Sequence, residues 1–332
     1  MNNVARLSLV ASLTMALMFP AGAQSLRKVK LTQSVASFDF MSADYARLTG
    51  IFAAEGLEVE QIATRGAGPD LAALVSGDVE FNLSPGVNQI NAIIGKRDVI
   101  TVANIVNRSL IGVVLSKEAA DKSGVKSDAP LKQRAAALSG LTLGMTQPGS
   151  LTDRQFQHLG RLAGLKDGEI KTVALGGAPS IVAAFERKQV DGYAIATPFD
   201  RIEVAKGAAV MWVDNAKGDD SSIDPFMMTD VHTSRAFADK NKEVVRAFIR
   251  ALRRATQEIK DKSTEDVIKA VQPAFPNVTP EVMTLGVNAL KLTLNPSGTF
   301  TMEMAKNTLR LDGRPDVTPE QLFATYDPSF QN

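Results

Sequence analysis

Cysteine is absent from all 332 residues. That excludes a disulfide framework, a thiolate metal site, a cysteine nucleophile and a lipid anchor on a cleavage-site cysteine. Aromatic residues make up only 6% of the chain, so the core has to be aliphatic and alanine-rich. An excess of either charge is also lacking. The net charge is +1 and no basic run occurs, which removes the electrostatic footprint of a nucleic-acid binder. Beyond the first segment, no stretch reaches about 18 uninterrupted apolar residues, so no membrane span is predicted there. Motifs of chemistry are missing too. The two histidines, His158 and His232, show no HxxxH or HxH spacing. There is no G-x-S-x-G elbow, and GLTLGMTQPGS lacks the Gly-Lys-Ser ending of a P-loop. No metal, cofactor or catalytic group is expected. His158 is predicted on the polar side of a helix, and His232 follows an extended run beside Asp230.

What is present is a chain with 45% apolar residues, enough for buried cores and long enough for one large or two medium domains. Residues 1–23 stand apart. MNNVAR carries Arg6 and no acid, LSLVASLTMALMF is a short apolar run, and Ala21-Gly22-Ala23 is an A-x-A site. This pattern predicts a secretory signal cleaved near Ala23 and an exported, periplasmic mature chain.

From there strands and helices alternate. Strands are predicted at 29–36, 57–63, 79–84, 99–106 and 109–118, with helices at 42–54 and 70–76 and a third starting at Pro85. The pattern then restarts with strands at 141–145, 170–175, 193–196 and 208–213 and an extended run at 226–233. Helices are predicted from Leu151 and over about 181–188. Such alternation implies mostly parallel sheets with right-handed crossovers. Two stretches also repeat one unit. GPDLAALVSGDVEFNLSPGVN (68–88) and APSIVAAFERKQVDGYAIATPFD (178–200) both run from a helix into a short strand that ends in small and polar residues. Two α/β lobes with related wiring explain the duplication. The C-terminal third is helical, led by FADKNKEVVRAFIRALRRATQEIKD with Val244, Val245, Phe248, Ile249 and Leu252 on one stripe. The helices after it are expected to pack on the first lobe. The predicted division is lobe 1 from 26–110 and 229–332, and lobe 2 from 111–228. Hinges are expected near Asn107–Ile111 and Asp224–Thr229.

In open parallel sheets, ligands sit beyond the carboxyl ends of the strands, so the turns there are the candidate site. Gln147-Pro148-Gly149-Ser150-Leu151-Thr152-Asp153 joins a strand to a helix and offers N–H groups and hydroxyls to an anion. Ser150 can equally cap the helix, with Asp153 completing a capping box. Thr64-Arg65-Gly66-Ala67-Gly68 offers a close backbone approach and a guanidinium fork. Arg65 reads equally as a surface arginine, and Arg108 is its competitor. Gly176-Gly177-Ala178-Pro179 is either a tight connection or an amide contact. Phe38-Asp39-Phe40 supplies an aromatic wall and an acceptor, although a phenylalanine can be core and an aspartate a cap. Ser84, Asn88, Thr197 and Phe199 follow strands in the repeated unit, and Phe38 facing Phe199 would hold a flat ligand.

Four segments carry a family resemblance: KLTQSVASFDFMSADYARLTGIFAAEGLEVE, GAGPDLAALVSGDVEF, LGMTQPGSLTDRQFQHLGRLAGL and AAFERKQVDGYAIATPFD. In this order the chain resembles the extracytoplasmic solute-binding proteins of the nitrate, sulfonate, taurine and thiamine-precursor group, which serve ABC importers. The resemblance covers nearly all of the chain after the signal. It departs at Ala196-Thr197-Pro198-Phe199, where many relatives carry Trp-x-Pro, and it lacks the cysteine motif of the pyrimidine-synthesising relatives. It implies a two-lobed type II periplasmic binding fold, a small-molecule ligand held in the cleft by hinge closure, and a monomer that docks on a permease and its ATPase at the inner membrane. A small organic anion, sulfonate or carboxylate, is the expected ligand. A thiamine-precursor-type pyrimidine with Asp39 as acceptor stays open, as do an enzyme of the same fold and a sensor.

Overall fold

The structure, a computed structural model, describes residues 25–64 and 67–331. The segment predicted as a signal and the Arg65-Gly66 pair lie outside the described residues. The first run of elements is β1 (Arg27–Gln33), α1 (Met41–Leu48), α2 (Ile51–Ala54), β2 (Leu57–Ala63), α3 (Ala67–Ser76), β3 (Phe81–Ser84), α4 (Gly86–Ile94) and β4 (Val99–Val106). The second is β5 (Ile111–Ser116), α5 (Lys117–Ser123), α6 (Leu131–Ala136), β6 (Thr142–Met145), α7 (Leu151–Ala163), β7 (Lys171–Ala174), α8 (Ala178–Glu186), β8 (Gly192–Ala196), α9 (Phe199–Ala205) and β9 (Ala209–Asp214). The chain then returns through β10 (Thr229–Ser234) to α10 (Arg235–Lys240), α11 (Lys242–Asp261), α12 (Thr264–Val271), α13 (Pro280–Lys291), α14 (Met302–Asp312) and α15 (Pro319–Phe323).

Two five-stranded sheets result, in the orders β2-β1-β3-β10-β4 and β7-β6-β8-β5-β9. In the first, β1 runs parallel to β2 and β3, and only β10 is reversed, antiparallel to both β3 and β4. In the second, β6 is parallel to β7 and β8, and only β5 is reversed, between β8 and β9. Each sheet is therefore mostly parallel with one reversed crossing strand, the arrangement of a two-lobed type II periplasmic binding fold. The passages between the sheets lie side by side. Phe226 N–H donates to Asn107 O at 2.7 Å and Met228 N–H to Val106 O at 3.2 Å. Arg108 and Asp224 pair across them at 2.7 Å.

Local chemistry explains where the helices break. The first helix is split at Gly50, whose φ of 77° is left-handed and suits a residue without Cβ. The long C-terminal helix also starts later than its apolar pattern suggests. Asn241, with φ −132° and ψ 43°, interrupts it and separates α10 from α11. Along α11, Val245, Phe248, Ile249, Leu252, Ala255 and Ile259 are all fully buried, a stripe at helical spacing. Phe248 stacks on Phe81 of β3 with ring centroids 3.9 Å apart. In the second lobe the only tryptophan, Trp212, is fully buried, and its indole N–H donates to Arg134 O at 2.8 Å.

The last helices do not confine themselves to the first lobe. α13 packs on α12 and also on α9, and α14 packs on α4 and α15 and also on α7. Arg161 of α7 donates to the carbonyls of Leu311 at 2.6 Å and Arg310 at 3.2 Å, and Arg154 reaches buried Asp312 at 3.4 Å. The amphipathic spacing of these segments was enough to predict helices but carried no record of which lobe they cover.

Candidate functional site

The turns that follow the strands of both sheets enclose a cavity of about 120 Å³. The first lobe contributes Ser34, Val35, Ser37, Asp39 and Phe40 after β1, Pro85 and Asn88 at the start of α4, and Met228. The second contributes Thr146, Gln147, Ser150, Leu151 and Thr152 after β6, Gly176 and Gly177 after β7, and Ile111, Ile195 and Ala196 at strand ends. The position is the one expected of an open α/β sheet. Val35, Phe40, Pro85, Ile111, Leu151, Ile195, Ala196 and Met228 make most of the wall apolar.

Three hydroxyls form a closed triangle on the second lobe. Thr146 Oγ1 lies 2.8 Å from both Ser150 Oγ and Thr152 Oγ1, and those two are 2.9 Å apart. The sequence builds the triangle because Ser150 is the N-cap of α7 and accepts from Asp153 N–H at 3.4 Å. Thr152, one residue into the helix, turns back to accept from Thr146 N–H at 3.0 Å. Asp153 does not close a capping box. Its carboxylate accepts from Gly149 N–H at 2.7 Å, while Ser150 N–H donates to Gln147 O. At α8, Gly176 takes the left-handed conformation, φ 77°, and donates its N–H to Thr146 O at 2.9 Å. Gly177, the N-cap of α8, has no side chain to cap the first turn. The first N–H groups of α7 and α8 lack intrahelical partners, as in any helix, and Leu151, Thr152 and Gly177 line the cavity.

The first lobe presents a carboxyl and an amide. Asp39 sits in the 3-10 turn Phe38–Phe40 and is buried. Ser37 donates its hydroxyl to Asp39 Oδ1. Burial pushes the carboxyl up to about 6, against the opposing hydrogen bond from Ser37. Asn88, in the first turn of α4, is also buried, and its Nδ2 has no hydrogen-bond partner among the described residues.

Of the residues singled out in the sequence, Asp39, Phe40, Asn88, Gln147, Ser150, Thr152, Gly176 and Gly177 line the cavity. Arg65 and Gly66 lie outside the described residues. Four are placed elsewhere. Phe38 is fully buried, edge-on to Phe275 at 4.8 Å, and its N–H donates to Thr197 O at 2.9 Å, joining the lobes below the cavity. Phe199 opens α9 and packs with the Tyr193 cluster, so no pair of phenylalanines faces across the cleft. Ser84 is buried and donates to Asn82 Oδ1 at 2.6 Å. Thr197 is buried and donates to Asp200 Oδ2 at 3.2 Å. Arg108 is held by Asp224 and is not part of the wall. Sequence reasoning missed Ser34, Ser37 and Thr146. All three follow a strand and lie within four residues of a singled-out residue, which is the signal that could have found them.

The histidines are both interior. His158 is not on a polar face: it is buried and lies 2.7 Å from Asp220. Burial pushes His232 down to about 4, and its Nδ1 lies 3.3 Å from Thr101 Oγ1. Among the described residues, no group of three or more His, Cys, Asp or Glu side chains is placed to hold a metal ion, and no helix is long and apolar enough to cross a membrane.

A family model described as the NMT1-like family matches residues 35–272. No curated protein matches the chain at a significant level. Among solved structures, a protein of Bordetella bronchiseptica RB50 is 21% identical, with a TM-score of 0.78 over 92% of this chain and 95% of that one. The alkanesulfonate-binding protein SsuA from Xanthomonas axonopodis pv. citri, bound to MOPS, is 15% identical with a TM-score of 0.68, over 91% of this chain and 98% of that one. The periplasmic nitrate-binding protein NrtA from Synechocystis PCC 6803 is also 15% identical with a TM-score of 0.68, over 92% of this chain and 87% of that one.

Proposed function

This chain belongs to the NMT1-like family, and from that premise we propose that it is the extracytoplasmic solute-binding component of an ABC importer. The observation that carries the reading is the small cavity, which both lobes wall with the turns beyond their strand ends. The structural likeness to sulfonate- and nitrate-binding proteins supports it. In this reading residues 1–23 export the chain to the periplasm. The lobes, 26–110 with 229–332 and 111–228, close on one solute by bending near Asn107–Ile111 and Asp224–Thr229. The closed monomer then delivers the solute to a permease and its ATPase. Closure is a shift in population driven by tighter binding to the closed form. It needs no covalent chemistry.

The solute is a small organic anion, a sulfonate or a carboxylate. The hydroxyl triangle and the first turns of α7 and α8 support this, because each offers donors where negative charge would sit. The cavity, about 120 Å³ in volume, suits a small molecule. A thermal-shift panel of the exported form tests the proposal with alkyl sulfonates, nitrate, small and aromatic carboxylates, pyrimidines and amino acids. A ligand at 100 times its Kd adds about 2.7 kcal/mol of stability. Stabilisation by anions is the expected result. Stabilisation by pyrimidines alone transfers the site's specificity to Asp39 as acceptor. No stabilisation, together with native mass spectra of an empty chain, overturns the binding role.

A further inference from the structure

The lobes also meet away from the cavity, at the C-terminal end of α14. That helix belongs to the first lobe through its apolar face, where Met304, Ala305 and Leu309 pack with Ile90 of α4 and with Met227. Its last carbonyls have no intrahelical partners and form the negative end of the helix dipole. Two arginines of α7, in the second lobe, converge on this end. Arg161 donates to Leu311 O at 2.6 Å and to Arg310 O at 3.2 Å, and it makes no other hydrogen bond among the described residues. Arg154 Nε lies 3.4 Å from Oδ1 of Asp312, whose side chain is fully buried. Arg314 of the first lobe forks onto the same carboxylate at 2.7 and 2.9 Å. Gly313 follows in the left-handed conformation, and a Cβ there would lie 2.6 Å from Arg161 Cζ. The absent side chain is what lets the guanidinium reach the helix end.

The same two helices are joined a second time, through the turn at Ser221–Ile223. His158 of α7 lies 2.7 Å from Asp220, Asp220 accepts from Ser222 N–H at 3.1 Å, and Arg310 of α14 donates to Ser222 O. These contacts differ in kind from the junction around Phe38, Thr197 and Gly286, which is close side-chain packing. At α14 the meeting groups are charged or polar, and Arg161 is exposed on α7. Water can replace each hydrogen bond as the lobes part, so this grip is reversible. It is also charge-assisted, and therefore stronger than a neutral one.

We propose that the grip is a clasp. It holds the lobes together before a solute arrives, and Arg161 sets solute affinity as a positioning residue that never touches the solute. This rests on reading the chain as a two-lobed protein that closes on a solute, and it adds what biases the closure. Arg154, Arg161, Arg310 and Asp312 all lie outside the cavity wall. The apparent Kd of a solute is its intrinsic Kd divided by the fraction of chains in the binding-competent form. Loosening the clasp lowers that fraction, so it weakens every solute by the same factor.

The test begins on the ligand-free exported protein. Arg161→Gln and the double variant Arg154→Gln/Arg161→Gln remove the charge and keep side chains that favour a helix, whereas Arg161→Lys keeps the charge. Small-angle scattering is expected to give a larger radius of gyration for Arg161→Gln, a larger one still for the double variant, and a return toward the parent for Arg161→Lys. Far-UV circular dichroism should match the parent throughout. Calorimetry with propane-1-sulfonate and with butanoate is expected to show Kd raised at least about threefold in the double variant, by one factor for both probes. An unchanged radius of gyration in the double variant refutes the clasp, whatever happens to its melting temperature. A change in affinity for one probe and not the other refutes it too, because Arg161 would then act on the solute itself. If no anion binds the parent, the solute reading falls, and scattering still decides the clasp.

Discussion

Replacing Asp230 by asparagine should stabilise this protein, and by an amount that grows with pH. Asp230 lies on β10, fully buried, opposite Ser84 of β3 and Asn104 of β4. Its Oδ1 accepts from Asn104 Nδ2 at 2.9 Å, and its Oδ2 has no partner among the described residues. Burial pushes the carboxyl from 3.8 up to about 8, with the Asn104 hydrogen bond opposing. A carboxyl whose folded pKa lies above its unfolded value holds its proton more tightly folded than unfolded. Stability therefore falls as pH rises from about 4 to about 8 and levels off beyond. Each pKa unit is worth about 1.4 kcal/mol, so the shift of about four units places a ceiling of roughly 5–6 kcal/mol on the loss. Asparagine keeps the acceptor for Asn104 and places an amide where the acid carries its proton. Asp230→Asn should be near neutral at pH 4.5 and several kcal/mol more stable than the parent at pH 8.5. His232, two residues along, titrates in the opposite sense because burial lowers it to about 4, but it is common to both proteins and cancels in the difference. Urea unfolding at pH 4.5, 6.5 and 8.5 measures it by far-UV circular dichroism, with Trp212 fluorescence reporting separately on the second lobe. A difference that stays constant with pH, or a variant less stable at pH 8.5, would refute the reasoning.

Three further outcomes follow, the first from the sequence and the other two from the structure. Arg65→Ala should raise the Kd of an acidic ligand at least tenfold, about 1.4 kcal/mol, by calorimetry; unchanged affinity would make Arg65 a surface residue. Ser150→Ala removes both the cap of α7 and one corner of the hydroxyl triangle. It should cost about 1 kcal/mol in urea unfolding as well as weaken the ligand, whereas a purely structural serine would lose only the first. Gly286→Ala would put a Cβ 2.5 Å from a ring carbon of Phe38 and 3.0 Å from Thr197 Cγ2, at the point where the lobes meet. Overpacking there should cost about 1–3 kcal/mol and enlarge the molecule in small-angle scattering; an unchanged profile and melting temperature would show that the junction yields.

Much of the fold was legible because the local rules agree with the tertiary arrangement. The strands Leu57–Ala63 and Val99–Val106 have the bounds their apolar runs suggest, and α7 begins right after the serine that caps it. The repeated helix-to-strand unit correctly announced two sheets. The failures share a cause, which is that side-chain destinations depend on partners far away in sequence. Phe38 reads as a wall residue after a strand until Phe275 and Gly286 arrive to bury it. His158 reads as polar surface until Asp220 covers it. Thr146 shows no motif of its own and acquires meaning only when Ser150 and Thr152 fold back on it. The cavity was foreseen as a place, from strand ends and small residues. Its apolar floor of Ile111, Ile195 and Ala196 was not, because strand residues buried in a sheet and strand residues under a ligand look alike.

Helix α7 has one end in the cavity and its flank against the other lobe. Its first two residues line the cavity, and Arg161, ten residues on, grips the carbonyls at the end of α14. At 1.5 Å per residue those two points are roughly 15 Å apart along a stiff rod. A tilt of about 8° about the cavity end would move the guanidinium by roughly 2 Å, enough to take a hydrogen bond from made to broken. The rod thus ties the hydroxyl end of the cavity to the grip of α7 on α14.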